Sequence, residues 1–209
     1  MNPPRIRAAT AADVDAVVPL MLDSSPELIA ATFGAGATAV VRRDFLRGRG
    51  IFGHAHQLVA LADDGRVVAT LTAYPGRDYR RLSLRTLRSA AVLGPRALAR
   101  AVRRTAALAH LFAPPGRDSL FLANLCVAPA VRSRGYGSAL MAHARTLAPA
   151  QGLATVEFDV SFANPRAQRL YERLGWEVTG ERPAPAGSPL DGFRRMRRPA
   201  APGRSGARP

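Results

Sequence analysis

Lysine is absent from this 209-residue chain: all 30 basic residues are arginine, set against 15 acidic ones for a net charge of +15. Such a balance invites nucleic acid as a partner. Two features argue against it. Alanine, glycine and proline are abundant as well, which reads as a bias toward GC-rich codons rather than selection for a phosphate-binding surface. The arginines also run from Arg5 to Arg208 without the interleaved aromatics that stack bases. A single cysteine, Cys126, excludes an internal disulfide and fits a reducing cytoplasm. No uninterrupted run of about 18 apolar residues occurs, so no segment reads as a transmembrane helix. The N-terminus meets Asp13 and Asp15 before any apolar stretch, so neither a signal peptide nor a membrane partner is expected. Metal-ligand spacings among His, Cys and the carboxylates are missing too, so no metal is expected. What remains is 47% apolar, enough for one domain, expected over residues 1–198. A disordered Pro/Gly/Ala/Arg-rich tail is expected over 199–209.

Periodicity lays out the elements. A short strand is expected over 6–8, then a helix opened by Thr10 and Asp13 with Val14, Val17, Val18 and Met21 inward. A second helix is expected over about 37–47. Strands over 57–62 and 66–74 flank Asp63-Asp64-Gly65, a hairpin signal. Residues 76–117 interrupt this β pattern. Leu82, Leu84, Leu87 and Val92 suggest one helix, broken at Gly94-Pro95. A second helix has Leu98, Val102, Thr105, Ala109 and Phe112 on one face, opposite Arg96, Arg100, Arg103 and Arg104. After it come strands over 119–127 and 155–161, helices over about 136–148 and 165–174, and final strands near 176–181 and 192–198. No internal repeat is present.

Two stretches carry chemistry. In the first, Leu125-Cys126-Val127 ends a buried strand, Pro129 follows, and Arg132-Ser133-Arg134-Gly135-Tyr136-Gly137 opens a helix with Tyr136, Leu140, Ala144 and Leu147 inward. The first turn of a helix leaves N–H groups unpaired, and its dipole adds partial positive charge, which suits an anion such as pyrophosphate. Gly135 and Gly137 let that ligand approach without a Cβ in the way, and Arg132 and Arg134 add charge. Alone, this pattern also describes an ordinary strand-to-helix loop. In the second stretch, Asn164 is an N-cap, Pro165 takes the first helical position and Gly175 the stop. Ala167, Leu170, Tyr171 and Leu174 share one face, so Tyr171 turns toward the protein body. Taken alone, it reads as a core tyrosine.

Together the two stretches resemble the GNAT superfamily of acyl-CoA-dependent N-acyltransferases. Arg132-x-x-Gly135-x-Gly137 looks like its pyrophosphate signature. Asn164-x-x-Ala167-x-x-Leu170-Tyr171-x-Arg173-Leu174-Gly175-Trp176 looks like its second block, with Trp where Phe is commoner. The resemblance covers 118–198 well and 5–75 weakly, and leaves 76–117 over. It implies an α/β fold: a mixed, mostly antiparallel central sheet flanked by helices, with a helical insertion between the third and fourth strands. It also implies acetyl-CoA as cosubstrate, its pantetheine arm lying between splayed fourth and fifth strands.

By position, the main chain of Leu125, Cys126 and Val127 would pair with pantetheine, and Arg132, Ser133, Arg134, Gly135, Tyr136 and Gly137 would hold the pyrophosphate. Asn164 would bond the arm. Tyr171 would stand beside the sulfur as acid for the departing thiolate, and the Val127 N–H would meet the oxyanion. A primary amine, on a small molecule or a peptide N-terminus, would attack directly, so Cys126 reads as a small buried residue rather than a nucleophile. Some group must take the amine proton. Glu157, Asp159 and Ser161 alternate to one strand face, and Asp159 matches a position where some members carry a base; a structural carboxylate is the other reading. His54 and His56 are alternatives. The insertion is expected on the acceptor side, with Arg77, Arg80, Arg81 or Arg85 toward an anionic group, or with 98–112 pairing two copies as a homodimer. Two other functions stay open: a CoA-binding module without catalysis, and a nucleic-acid or membrane-surface binder using the Arg-rich insertion.

Overall fold

Alternation sorts the sheet into an apolar face and a mixed one. The computed structural model describes residues 4–201. These hold strands β1 (Arg5–Ala8), β2 (Gln57–Leu61), β3 (Val67–Pro75), β4 (Ser119–Val127), β5 (Thr155–Ser161), β6 (Glu177–Pro183) and β7 (Gly192–Pro199), ordered β1-β2-β3-β4-β5-β7-β6 in one sheet. Every neighbouring pair is antiparallel except β4 and β5. The α-helices are α1 (Val14–Ser24), α2 (Pro26–Phe33), α3 (Ala37–Arg47), α4 (Tyr79–Ala90), α5 (Pro95–Leu108), α6 (Tyr136–Leu147) and α7 (Pro165–Arg173).

On one face Val156, Phe158 and Val160 of β5 join Leu120 and Leu122 of β4 beneath Leu140, Met141 and Ala144 of α6, with Ala167 and Tyr171 of α7 at the margin. On the other, Val59 packs with Val17, Val18 and Met21 of α1 and Val41 and Phe45 of α3. No single helix among the described residues is long and apolar enough to cross a membrane. The bent pair over 11–47 that has the composition spends its apolar residues on this core.

The strands and the flanking helices lie where periodicity put them. The insertion differs. Its helices α4 and α5 do connect β3 to β4, but each is rotated from its expected face. Helix α4 buries Leu82, Thr86, Ser89 and Ala90 and leaves Leu84 and Leu87 exposed. The cause is Asp44 of α3, a carboxylate only 1% exposed. It accepts from Thr86 Oγ1 at 2.8 Å, Ser89 Oγ at 2.8 Å and the Phe52 N–H at 3.0 Å. An unpaired buried carboxylate costs more than two solvated leucines, so the hydroxyls decide the face. Helix α5 buries Ala101 and Leu108 and exposes Val102 and Thr105.

Helix α2 is absent from the periodic reading, because its eight residues bury only Ile29. At the C-terminal end, Pro199 still belongs to β7, and the N–H groups of Ala200 and Ala201 bond to Ala154 and Arg145 carbonyls. Residues 199–201 of the expected tail are therefore held against the body, and 202–209 lie outside the described residues.

Candidate active site

A bulge opens the sheet. Thr70 faces Cys126 and Thr72 faces Ala123, so Asn124 and Leu125 of β4 oppose Leu71 alone. Asn124 takes the left-handed conformation (φ 49), which asparagine tolerates better than most residues. The extra residue bends β4 away from β5. Their pairing runs from Ser119–Thr155 to Leu122–Phe158 and stops. Past that point β4 has no strand partner on its β5 side among the described residues. The Ala128 N–H bonds to the Val68 carbonyl of β3 at 2.8 Å. By strand alternation the Val127 N–H one residue earlier points the other way, into the opening.

A cavity of about 140 Å³ fills this opening and reaches both faces of the sheet. Ser24, Asn124 and Asp159 line it on the α1 side; Phe158, Ala167 and Tyr171 line it on the α7 side. Leu125, Ser161 and Asn164 are also among its lining residues. Asn164 Oδ1 caps α7 by accepting the Ala167 N–H at 3.0 Å, which leaves its Nδ2 to the cavity. Tyr171 meets Phe158 edge-on with ring centroids 4.7 Å apart. Burial pushes its hydroxyl above the usual phenol range, so it keeps its proton at neutral pH. Leu170, expected on the same face, is turned outward.

At the end of β4 the chain passes through Ser133 (φ 64) and Gly135 (φ 84) into α6. The helical ladder starts with the Ala139 N–H bonding to Gly135, so the Tyr136, Gly137 and Ser138 N–H groups precede it. A Cβ at Gly135 would meet nothing within 4 Å, so the space above it is open. Ser133, Arg134 and Gly135 are exposed there, and Tyr136 is half-buried. Arg132 folds back, its Nε donating to the Val127 carbonyl at 3.1 Å. Cys126 is buried beneath the strand, and burial pushes its thiol pKa up, which keeps it from acting as a thiolate.

Asp159 is held firmly. Its Oδ1 accepts from Arg182 at 2.5 Å and Arg195 Nε at 2.7 Å, and its Oδ2 from Arg195 Nη2 at 3.0 Å. Of about four acceptor positions on a carboxylate, one on Oδ2 is left. Glu157, on the same strand face, is fully buried. Burial pushes its carboxyl up, but Ser119, the Gly116 N–H, Arg195 and Arg197 outweigh that and hold it below the usual range. The same arginines reach the returning end of the insertion: Arg182 donates to the Leu111 carbonyl and Arg195 to that of Ala113.

Among the other candidates, Arg77 donates to the Gln151 carbonyl, Arg81 pairs with Asp78, Arg85 leans on the Arg49 carbonyl, and Arg80 is exposed. None of the four lines the cavity. His54 bonds to the Phe45 carbonyl, and His56 packs on Tyr74 with its pKa lowered by burial; both stand apart from the cavity. Ser24, Asn124, Arg182 and Arg195 were missed by the sequence reading. The alternation of Arg195 and Arg197 opposite Asp159 and Glu157 was the one legible signal, and only once β5 and β7 were paired.

The model of the Acetyltransferase (GNAT) family matches residues 27–176. No curated protein sequence matches the chain. Among solved structures, the chain resembles an acetyltransferase at 21% identity, covering 94% of this chain and 100% of that one, with a TM-score of 0.68. An N-acetyltransferase from Staphylococcus aureus Mu50 aligns with the same TM-score at 14% identity, over 92% and 99% of the two chains. A phosphinothricin acetyltransferase from Sinorhizobium meliloti, solved in complex with AcCoA, aligns with a TM-score of 0.58 at 18% identity, over 97% and 91%.

Proposed function

Because the chain belongs to the GNAT family of acetyltransferases, we propose that it transfers an acetyl group from acetyl-CoA to a primary amine by direct attack in the opening between β4 and β5. The observation that carries this is the cavity reaching both faces of the sheet. A thioester arm entering on the α6–α7 face and an amine entering on the α1 face would meet inside it. Holding the two reactants together removes much of the entropic barrier, so no covalent enzyme intermediate is needed.

In this reading the pyrophosphate lies on the first turn of α6, among the N–H groups of Tyr136, Gly137 and Ser138. Ser133, Arg134 and Gly135 form the loop wall, and Arg132 braces the Val127 carbonyl. The pantetheine arm runs along the open side of Leu125, Cys126 and Val127, with Asn164 Nδ2 donating to it. As the amine attacks, the Val127 N–H stabilises the oxyanion. Collapse breaks the carbon–sulfur bond; Tyr171 gives the thiolate its proton and regains one, directly or through water, from the nitrogen as the amide forms. The remaining acceptor position on Asp159 takes a proton from the ammonium, directly or through one water.

Acetyl-CoA titration by calorimetry, followed by thiol release over a panel of primary amines, tests the reading. Gly135→Val is expected to weaken acetyl-CoA at least about tenfold. The new side chain would fill the open space above the loop, on a backbone (φ 84) that a β-branched residue resists. Unchanged affinity in a folded Gly135→Val protein would move the pyrophosphate elsewhere. Asp159→Asn is expected to lose rate mostly at low pH, where more of the amine is protonated and needs a base. Superimposable pH–rate profiles would leave Asp159 as a purely structural partner of its two arginines.

A further inference from the structure

We propose that Asn124 is a specificity-determining residue: its side-chain carbonyl accepts one N–H of the acceptor amine, beside Asp159, and so favours primary over secondary amines. The inference rests on the cavity being the acyl-transfer site. It starts from a buried polar chain on the α1 face of the sheet. Gln57, Thr70 and Thr72 are all at most 1% exposed. Gln57 Oε1 accepts from Thr72 Oγ1 at 2.9 Å, and Gln57 Nε2 has no partner among the described residues. A buried donor without a partner is uncommon and costly. What the arrangement gains is a fixed polarity.

A threonine hydroxyl has one proton. Thr72 gives its proton to Gln57, so toward Asn124 it can only accept, and Asn124 Nδ2 donates to it at 3.0 Å. In this arrangement the Asn124 nitrogen lies toward the sheet and its oxygen toward Ser24 at the cavity wall. At that wall Asn124 Oδ1 lies 3.4 Å from Ser24 Oγ. The single Ser24 proton already goes to the Met21 carbonyl at 2.6 Å. Asn124 Oδ1 therefore keeps acceptor capacity at the cavity wall, at the bulge where β4 leaves β5.

The cavity thus offers two acceptors from opposite sides of the opening, Asn124 Oδ1 on β4 and Asp159 Oδ2 on β5. Once a primary ammonium has passed one proton through Asp159 to solvent, which frees that acceptor position again, two N–H groups and one lone pair remain. Two acceptors hold the N–H groups and leave the lone pair for the thioester carbon. A secondary amine brings one N–H and an alkyl group, so one buried acceptor goes unpaired. Thr72 and Gln57 are positioning residues in this scheme, acting through Asn124.

The test uses the protein saturated with CoA and titrated with n-propylamine, read by the side-chain amide signals of Asn124, which are identified by their loss in Asn124→Gly. Glycine suits the left-handed backbone and removes only the side chain. The Asn124 signals are expected to shift on addition of n-propylamine, and Asn124→Gly to bind it about tenfold more weakly with CoA affinity unchanged. Thiol release from acetyl-CoA with n-propylamine and N-methylpropylamine should show a primary-to-secondary preference that falls about tenfold in Asn124→Gly. Thr72→Val should narrow it in part, and carries the test if the glycine variant does not fold. Asn124 signals that stay still, or a variant with unaltered amine affinity and preference, overturn the inference while the acyl-transfer reading stands. A wild-type protein that binds no CoA overturns both.

Discussion

Tyr171→Phe is expected to lower kcat by about 10²–10⁴-fold while acetyl-CoA affinity changes less than about twofold. The size follows from the step affected. A hydroxyl that protonates a departing thiolate acts in the transition state and contributes little to ground-state binding. The ring itself stays, so its edge contact with Phe158 and its place against the apolar core are kept. Burial keeps the hydroxyl protonated through the working range, so the wild-type rate should show no loss attributable to Tyr171 ionisation near neutral pH. The measurement is steady-state thiol release beside a calorimetric titration of each protein. A phenylalanine variant of undiminished kcat would return Tyr171 to core packing.

Glu157→Gln is expected to destabilise the fold by about 3–5 kcal/mol, because it leaves buried positive charge without its partner. Arg195 is itself buried, and lies 3.4 Å from Glu157 Oε1. Asp159 keeps it partly compensated, which places the expected cost toward the lower end. The pH dependence has a definite sign. Glu157 has its folded pKa depressed, so its stabilisation is complete above the unfolded value, about 4.3. It is lost as pH falls through the lower folded value. Wild-type melting temperature should therefore drop in acid, and the drop should shrink in Glu157→Gln. Equal stability of the two proteins at pH 7 would show that the cluster is worth no more than a set of neutral hydrogen bonds.

Much of this is legible in the sequence. Strand alternation at Val156, Phe158 and Val160 and the Asn164-Pro165 start of α7 are local signals, and local signals survive folding. The bulge was not legible, since Asn124 and Leu125 carry no mark that one of them is extra; only the register against β3 shows it. The faces of α4 and α5 were misread for a related reason. Periodicity counts apolar residues, whereas a single buried carboxylate, Asp44, outweighed Leu84 and Leu87. The pinning of Asp159 by Arg182 and Arg195 depends on partners 23 and 36 residues away, which no window along the chain compares.

The order of strands also sets when the surroundings of Asp159 can form. Strand β7, the last in sequence, lies between β5 and β6. It brings Arg195, which clasps Asp159 and, across 82 residues, the Ala113 carbonyl. Arg182 spans 71 residues to Leu111, and Glu157 spans 41 to Gly116. Contacts of such separation form slowly, because the intervening chain must be ordered first. A nascent chain leaving the ribosome could assemble β1 to β4, α6 and the loop between them while β5 still presented a bare edge and Asp159 had neither arginine. The first turn of α6 can form early, whereas the arginine clasp on Asp159 waits for β7.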